Sequence, residues 1–77
     1  MRRFVDGQGR PWDIVLGRES WGNWYALFVP VEGNPEGGIR QTLLRAPSHE
    51  AAQIELDSLS DSAIQELLRN SVPKENT

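Results

Sequence analysis

The residue types that most often carry catalysis are sparse in this chain and are not grouped. His49 is the single histidine and Cys is absent, which excludes disulfides, a cysteine nucleophile and a zinc site built from several His or Cys ligands. His49 precedes Glu50 at a predicted helix start, where a lone histidine is more often a polar first-turn residue than a proton carrier. We therefore predict no catalytic residues and no metal ligands.

The serines, carboxylates and glycines show no catalytic or cofactor-binding arrangement either. Ser20 has neither a neighbouring base nor the elbow sequence that would activate it as a nucleophile. Glu55, Asp57 and Asp61 do not follow the spacing of a calcium loop. Gly7-Gln8-Gly9 lacks the third glycine of a dinucleotide motif and lies between strands. We expect no enzyme activity and no cofactor, because 77 residues offer little material for a cleft around a carboxylate pair.

An aromatic cluster at the tip of the predicted central hairpin is the clearest candidate binding feature. It reads Trp21-Gly22-Asn23-Trp24-Tyr25 and follows Arg18 and Glu19. Tryptophan is enriched at binding hot spots because it buries a large area with few rotatable bonds. Two interpretations stay open: the rings bind a partner, or they pack inside, since a short chain needs its large aromatics in the core.

The predicted partner-binding set combines this tip with a second apolar face of the sheet. Its members are Trp21, Trp24, Phe28, Val15 and Arg18. Helices that cover one face leave the other to be solvated or buried in a partner, and a homodimer would bury it without a further protein. We expect the partner to be another protein or a second copy of the chain.

Single-stranded nucleic acid is the alternative partner. Sheet aromatics beside Arg2, Arg3, Arg18 and Arg40 are the ingredients of a base-stacking platform. The net charge of −3 argues against it, because nucleic-acid binding depends on positive charge. The charge is also uneven: residues 1–45 carry +1 and residues 46–77 carry −4. This division fits a mildly basic sheet half beside an acidic helical half.

The N-terminus predicts cytoplasmic residence and no membrane association. Met1-Arg2-Arg3 is basic, but no apolar segment of signal-peptide type follows it. The longest apolar run, residues 26–31, is far shorter than the roughly 20 residues of a membrane span. We expect one domain over residues 1–72 and a frayed tail over 73–77.

The elements that must position these residues begin with two hairpins. Residues 2–6 and 10–16 flank Gly7-Gln8-Gly9, and Gly9 suits the left-handed position of a three-residue loop. This register pairs Asp6 with Arg10, Phe4 with Trp12, and Arg3 with Asp13.

The second predicted hairpin joins residues 12–21 and 24–32 through a two-residue turn at Gly22-Asn23. It pairs Trp21 with Trp24 and Arg18 with Leu27, and it places Phe28 over Gly17. The predicted core face of this hairpin holds Trp12, Ile14, Leu16, Tyr25, Leu27, Val29 and Val31.

The rest of the chain predicts one more strand and a helical end. A fourth strand over residues 39–45 is expected to direct Ile39 and Leu43 into the core. Ser48 and Ser60 are expected N-caps for helices over about 48–57 and 61–70, with one bent helix as the alternative. The sequence thus predicts an α+β fold: a four-stranded antiparallel β-meander followed by one or two C-terminal α-helices packed on one sheet face.

Overall fold

Four strands, two helices and a short fifth strand follow one another along the chain. A computed structural model describes residues 2–18, 23–32 and 38–74. The elements are β1 (Arg2–Val5), β2 (Pro11–Arg18), β3 (Trp24–Pro30), β4 (Arg40–Leu44), α1 (His49–Ser58), α2 (Asp61–Arg69) and β5 (Val72–Pro73). The strands form one antiparallel sheet in the order β1-β2-β3-β4-β5. The predicted α+β fold, a meander followed by helices, is confirmed.

The first hairpin has the predicted register. Arg3 pairs with Asp13, and Phe4 pairs with Trp12. Gly9 has a φ of 79°, a left-handed conformation that glycine adopts without a steric penalty. The glycine therefore fixes the loop, and the loop fixes which side chains of β1 and β2 face the core.

The second hairpin has a different register from the predicted one. Arg18 pairs with Trp24, whereas a turn at Gly22-Asn23 requires Arg18 to pair with Leu27. The predicted pairing is wrong, and the shift between the two registers is an odd number of residues. Because side chains alternate along a strand, an odd shift moves all of β3 to the opposite face. Residues 19–22 lie outside the described part of the chain.

The observed register buries the other row of β3. Ala26 and Phe28 are fully buried, and the partly buried Trp24 packs against the same core. Four residues of β3 and its end were wrongly predicted for the core. Tyr25, Leu27 and Val29 lie on the opposite face instead, and Val31 is half-buried outside the core. Both rows of β3 are apolar, so the alternation of apolar and polar residues does not show which row is buried. The prediction therefore rested on the turn at Gly22-Asn23, which selected the wrong row.

β4 also presents the opposite side from the predicted one. Leu44 is 3% exposed, whereas Leu43 is 45% and Ile39 is 36% exposed. The expectation that Ile39 and Leu43 face the core is therefore wrong. Leu44 pairs with Trp24, and direct cross-strand neighbours share a face, so the core side of β4 follows that of β3.

The chain returns to the sheet after the helices, which gives five strands rather than four. Val72 pairs with Gln41, and Pro73 pairs with Arg40. The backbone N–H of Lys74 donates to the carbonyl oxygen of Ile39 at 2.8 Å. Residues 73 and 74, which the sequence assigned to the frayed tail, thus belong to the sheet edge. Residues 75–77 lie outside the described chain.

α1 and α2 are separate helices with the predicted serine caps. The hydroxyl of Ser48 accepts a hydrogen bond from Ala51 N–H at 3.1 Å. That of Ser60 accepts one from Ala63 N–H at 3.2 Å. Leu59 between them has extended backbone, with φ −71° and ψ 137°, so two helices rather than one bent helix are present. Within the described residues, no helix has the length and apolar content needed to cross a membrane.

Both helices supply the core on one face of the sheet, which we call the inner face. The core residues are Phe4, Trp12, Ile14, Ala26, Phe28, Leu44, Ala52, Leu56, Ile64 and Leu68. The rings of Trp12 and Phe28 meet edge to face, with centroids 6.2 Å apart, a favourable arrangement for aromatic pairs. α1 contacts β3 and α2 contacts β4, so both helices lie over these strands on the inner face.

Arg2 ties the start of the chain to the junction between the helices. Its Nη1 donates to the carbonyl oxygens of Leu56 at 3.0 Å and Leu59 at 2.8 Å. Its Nη2 lies 3.2 Å from Asp61 Oδ1. A cation is favourable at a helix C-terminus, and α1 has no basic residue in its own last turn. β1 therefore supplies the charge that α1 lacks.

Candidate functional site

The face of the sheet opposite the helices, which we call the outer face, is the candidate interaction surface. Direct cross-strand neighbours share a face, so the pairing defines its rows. The central row consists of Val15, Leu27, Gln41 and Val72. The flanking rows consist of Gly17, Tyr25 and Leu43 on one side, and Arg3, Asp13 and Val29 on the other.

Apolar side chains on this face are open to solvent. Leu43 is 45% and Val72 is 55% exposed, while Val15 and Leu27 are half-buried. The buried apolar residues of the inner face are at most 6% exposed, so the two faces differ sharply. Apolar groups that continue across neighbouring strands are typical of interaction surfaces.

Gly17 allows the side chain of Leu27 to lie flat against the sheet. A Cβ at Gly17 would lie 2.7 Å from Leu27 Cδ1 and 3.0 Å from its Cγ, closer than carbon atoms normally approach. The expectation that Phe28 covers Gly17 is wrong, because Phe28 points to the inner face. The Leu27 side chain thus covers the Gly17 backbone and makes this part of the outer face level.

The structure separates the residues of the predicted partner-binding set. Val15 lies on the outer face, whereas Phe28 is fully buried in the core. Arg18 and Trp24 form a cross-strand pair at the end of the inner face. Trp21 lies outside the described residues. The predicted second apolar face therefore exists, but Val15 is its one described member from that set.

Trp24 makes ring contacts within the chain. The Arg18 guanidinium carbon lies 5.6 Å from the centroid of the Trp24 ring. The Trp24 ring also contacts the His49 ring edge to face, with centroids 5.0 Å apart. These contacts match the interpretation of this tryptophan as part of the packing. They also place the exposed His49 against an aromatic ring.

Asp6 is a buried carboxylate that the sequence predicted only as the partner of Arg10. Its side chain is 1% exposed. Oδ1 accepts from the backbone N–H groups of Gln8 and Arg10, both at 2.9 Å. Oδ2 accepts from Arg10 Nε at 2.8 Å and from Trp12 Nε1 at 3.0 Å. The sequence signal was an aspartate four residues before an arginine around a glycine turn, with a tryptophan indole two residues further along.

Hydrogen bonding controls the protonation of this carboxylate. Burial by itself raises the pKa of Asp6, but the hydrogen bonds from Trp12, Arg10 and Gln8 outweigh it and lower the pKa from 3.8 to about 2. Four donors satisfy the two oxygens. Asp6 thus holds the turn to the core as a fixed anion, and a permanently ionised, fully bonded carboxylate is poorly suited to acid–base chemistry.

The described residues form no metal-binding cluster. In the ranges 2–18, 23–32 and 38–74, no three His, Asp or Glu side chains lie close enough to hold a metal ion. Tyr25 is the one aromatic on the outer face of the described sheet, and Arg2 and Arg40 lie on the inner face. The proposed nucleic-acid platform would need these groups on one face.

No protein-family model, curated protein or solved structure is significantly similar to the chain.

Proposed function

We propose that this chain is a non-catalytic protein-interaction domain that associates with a second copy of itself through the outer face. The observation that supports it most directly is the contrast between the two faces of one sheet. Both helices pack on the inner face, while exposed Leu43 and Val72 and half-buried Val15 and Leu27 remain on the outer one. Burying apolar area of this kind stabilises by roughly 25 cal/mol per Å².

The charges of the outer face favour a second copy as the partner. Among the described strand residues on this face, Arg3 and Asp13 are the charged ones, and their side chains pair at 2.6 Å. The pair neutralises itself, so these strand residues add no repulsion between like charges when two outer faces meet, and the cation Lys74 lies beside Tyr25 and Leu27 at the edge of the face. A two-fold contact brings the same patch of each copy together, and the Val15–Leu27 pair provides a level apolar centre for it.

The experiment is sedimentation velocity or light scattering over a wide range of protein concentration. The unmodified chain is expected to shift from monomer to dimer as concentration rises. Leu43→Asp places a carboxylate on the outer face and should weaken dimerisation at least tenfold. The matched control is Ile54→Asp, because Ile54 is 62% exposed on α1, away from the sheet; its dimerisation should be unchanged.

Several results would overturn this proposal. A strict monomer at several hundred micromolar excludes self-association as the function of the face. Equal weakening by Leu43→Asp and Ile54→Asp shows that the contact is elsewhere. Saturable binding of a single-stranded oligonucleotide that weakens steeply with salt would instead support the nucleic-acid alternative, because released counterions produce that dependence.

A further inference from the structure

A cleft on the side of the sheet that faces α2 is lined by three arginines. Its volume is about 210 Å³. We call it the arginine cleft, and it is lined by Arg10, Trp12, Arg40, Gln65, Leu68 and Arg69. No acidic side chain is among these lining residues, although the chain as a whole has a net charge of −3. Arg10 and Arg69 pair with carboxylates that lie outside this lining, Asp6 and Glu66, so the excess positive charge of the cleft comes from Arg40.

Arg40 is the central cation of the cleft, and uncharged groups hold it in place. Its Nε donates to Ser71 Oγ at 2.8 Å, and its Nη2 donates to the Ser71 carbonyl oxygen at 2.7 Å. The Ser71 hydroxyl in turn donates to the carbonyl oxygen of Leu68. These bonds fix one edge of the guanidinium and leave the Nη1 hydrogens for another acceptor.

Arg40 has no anionic partner in the described chain. The ion pairs of residues 2–18, 23–32 and 38–74 involve Arg2, Arg3, Arg10 and Arg69. Arg40 is half-buried, so water compensates its charge only in part. A positioned, partly desolvated guanidinium favours a charge-assisted hydrogen bond to an oxyanion.

The other two arginines add to the positive potential to different degrees. Arg10 is bound to the buried Asp6 carboxylate, which offsets its charge. Arg69 lies 3.3 Å from Glu66, and these side chains are 68% and 60% exposed. Exposed pairs of this kind contribute little, so Arg69 can exchange Glu66 for a ligand in the cleft.

The remaining walls favour a small polar ligand. Leu68, which is 6% exposed, provides a little apolar surface, while Trp12 lies fully buried at the wall of the cleft. Gln65 Oε1 accepts from Gly7 N–H at 2.8 Å, so the amide end left for a ligand is its NH₂ donor. The volume lies below the roughly 300–1,000 Å³ of pockets for drug-sized ligands, which fits one head group rather than a nucleotide.

We propose that the arginine cleft binds an oxyanion of phosphate size, either free phosphate or the phosphate group of a small metabolite. Arg40 would donate from Nη1, and Arg69 and the Gln65 amide would supply further donors. This proposal does not depend on self-association, because the arginine cleft and the outer face lie on opposite sides of the sheet.

The test is a titration of the ¹⁵N-labelled chain with inorganic phosphate at low and constant ionic strength. We expect saturable shifts of the Trp12 indole N–H, the Ser71 amide and the Arg40 Nε signals. Arg40→Gln should weaken phosphate binding at least tenfold. Arg3→Gln is the matched control, because it removes the same charge from the outer face and should leave the affinity unchanged.

Two further measurements keep the proposal open to disproof. Arg69→Gln removes a cation whose side chain is 68% exposed and should weaken binding several-fold even if Arg40→Gln does not fold. Titrations with glycerol 3-phosphate and acetate distinguish the ligand: similar binding of phosphate and the monoester supports a phosphate site. Equal affinity for acetate or chloride, or equal losses in Arg3→Gln and Arg69→Gln, would overturn it.

Discussion

The carboxylate of Asp6 accepts a hydrogen bond from Trp12 Nε1 at 3.0 Å, at a point where Trp12 is fully buried. The same carboxylate binds two backbone N–H groups of the first turn. One side chain therefore joins the loop geometry to the core. A buried donor that loses its acceptor destabilises the fold by roughly 1–3 kcal/mol, so the stability of the fold depends directly on Asp6.

Asp6→Ala is predicted to lower the free energy of unfolding by roughly 2–3 kcal/mol. It leaves the Trp12 indole and the turn amides without their acceptor. Urea unfolding followed by circular dichroism measures the loss. Asp13→Ala is the control, because it removes an aspartate whose Arg3 partner is 60% exposed; its effect should stay below about 1 kcal/mol. Equal losses in the two variants would contradict the buried role of Asp6.

Stability should fall at acid pH through Asp6. Its folded pKa of about 2 lies below the ordinary value of 3.8, so the unfolded chain binds the proton first as the pH drops. The stabilisation is complete above about pH 4 and is lost as the pH falls to about 2, which amounts to about 2 kcal/mol. Unfolding free energies of the unmodified chain and of Asp6→Asn should therefore converge by that amount between neutral pH and pH 2. A difference independent of pH would contradict the prediction.

Gly9→Ala should destabilise the protein by roughly 1–2 kcal/mol, because a side chain is strained at positive φ. No atom lies within 4 Å of a Cβ at this position, so backbone conformation alone causes the loss. Gly38→Ala is the matched control, since Gly38 has the same open surroundings without a positive φ. It should be neutral or slightly stabilising. Thermal unfolding compares the two, and a similar decrease in both melting temperatures would count against the left-handed turn.

The register of β3 is tested by substituting two neighbouring residues. Phe28→Ala should lower stability by roughly 3–5 kcal/mol, as expected for a buried aromatic ring. Leu27→Ala should lower it by less than half as much, because this side chain lies half-buried on the outer face. Denaturant unfolding of both variants under dilute, monomeric conditions measures the ratio. A larger loss for Leu27→Ala would favour the register with a turn at Gly22-Asn23.

The first hairpin and the helix caps could be predicted because independent local signals agree there. Gly9 sets the turn, and the Arg3–Asp13 pair fits the same register. Ser48 and Ser60 each stand directly before a change to helical spacing. Such features depend on a few residues that are neighbours in the sequence, so they can be recognised without knowing the rest of the fold.

The second hairpin could not be predicted in the same way. Trp24, Ala26 and Phe28 form one apolar row of β3, and Tyr25, Leu27 and Val29 form the other. Neither row is marked for water, so only the helices decide which one is buried. The core side of β4 was predicted wrongly as well, with Leu43 in the core instead of Leu44. The uncovered apolar face and its β2 member Val15 were therefore anticipated, while its members from β3 and β4 were not.

The contacts of Arg2 join the two ends of the fold. Its partners Leu56 and Leu59 lie 54 and 57 residues away, so a nascent chain makes these bonds only after both hairpins have left the ribosome. The helices that cover Trp12 and Phe28 on the inner face follow both hairpins in the chain. Closing such long loops is slow compared with forming hairpins. The cover of the inner face, like the partners of Arg2, thus comes from the part of the chain that is synthesised after both hairpins.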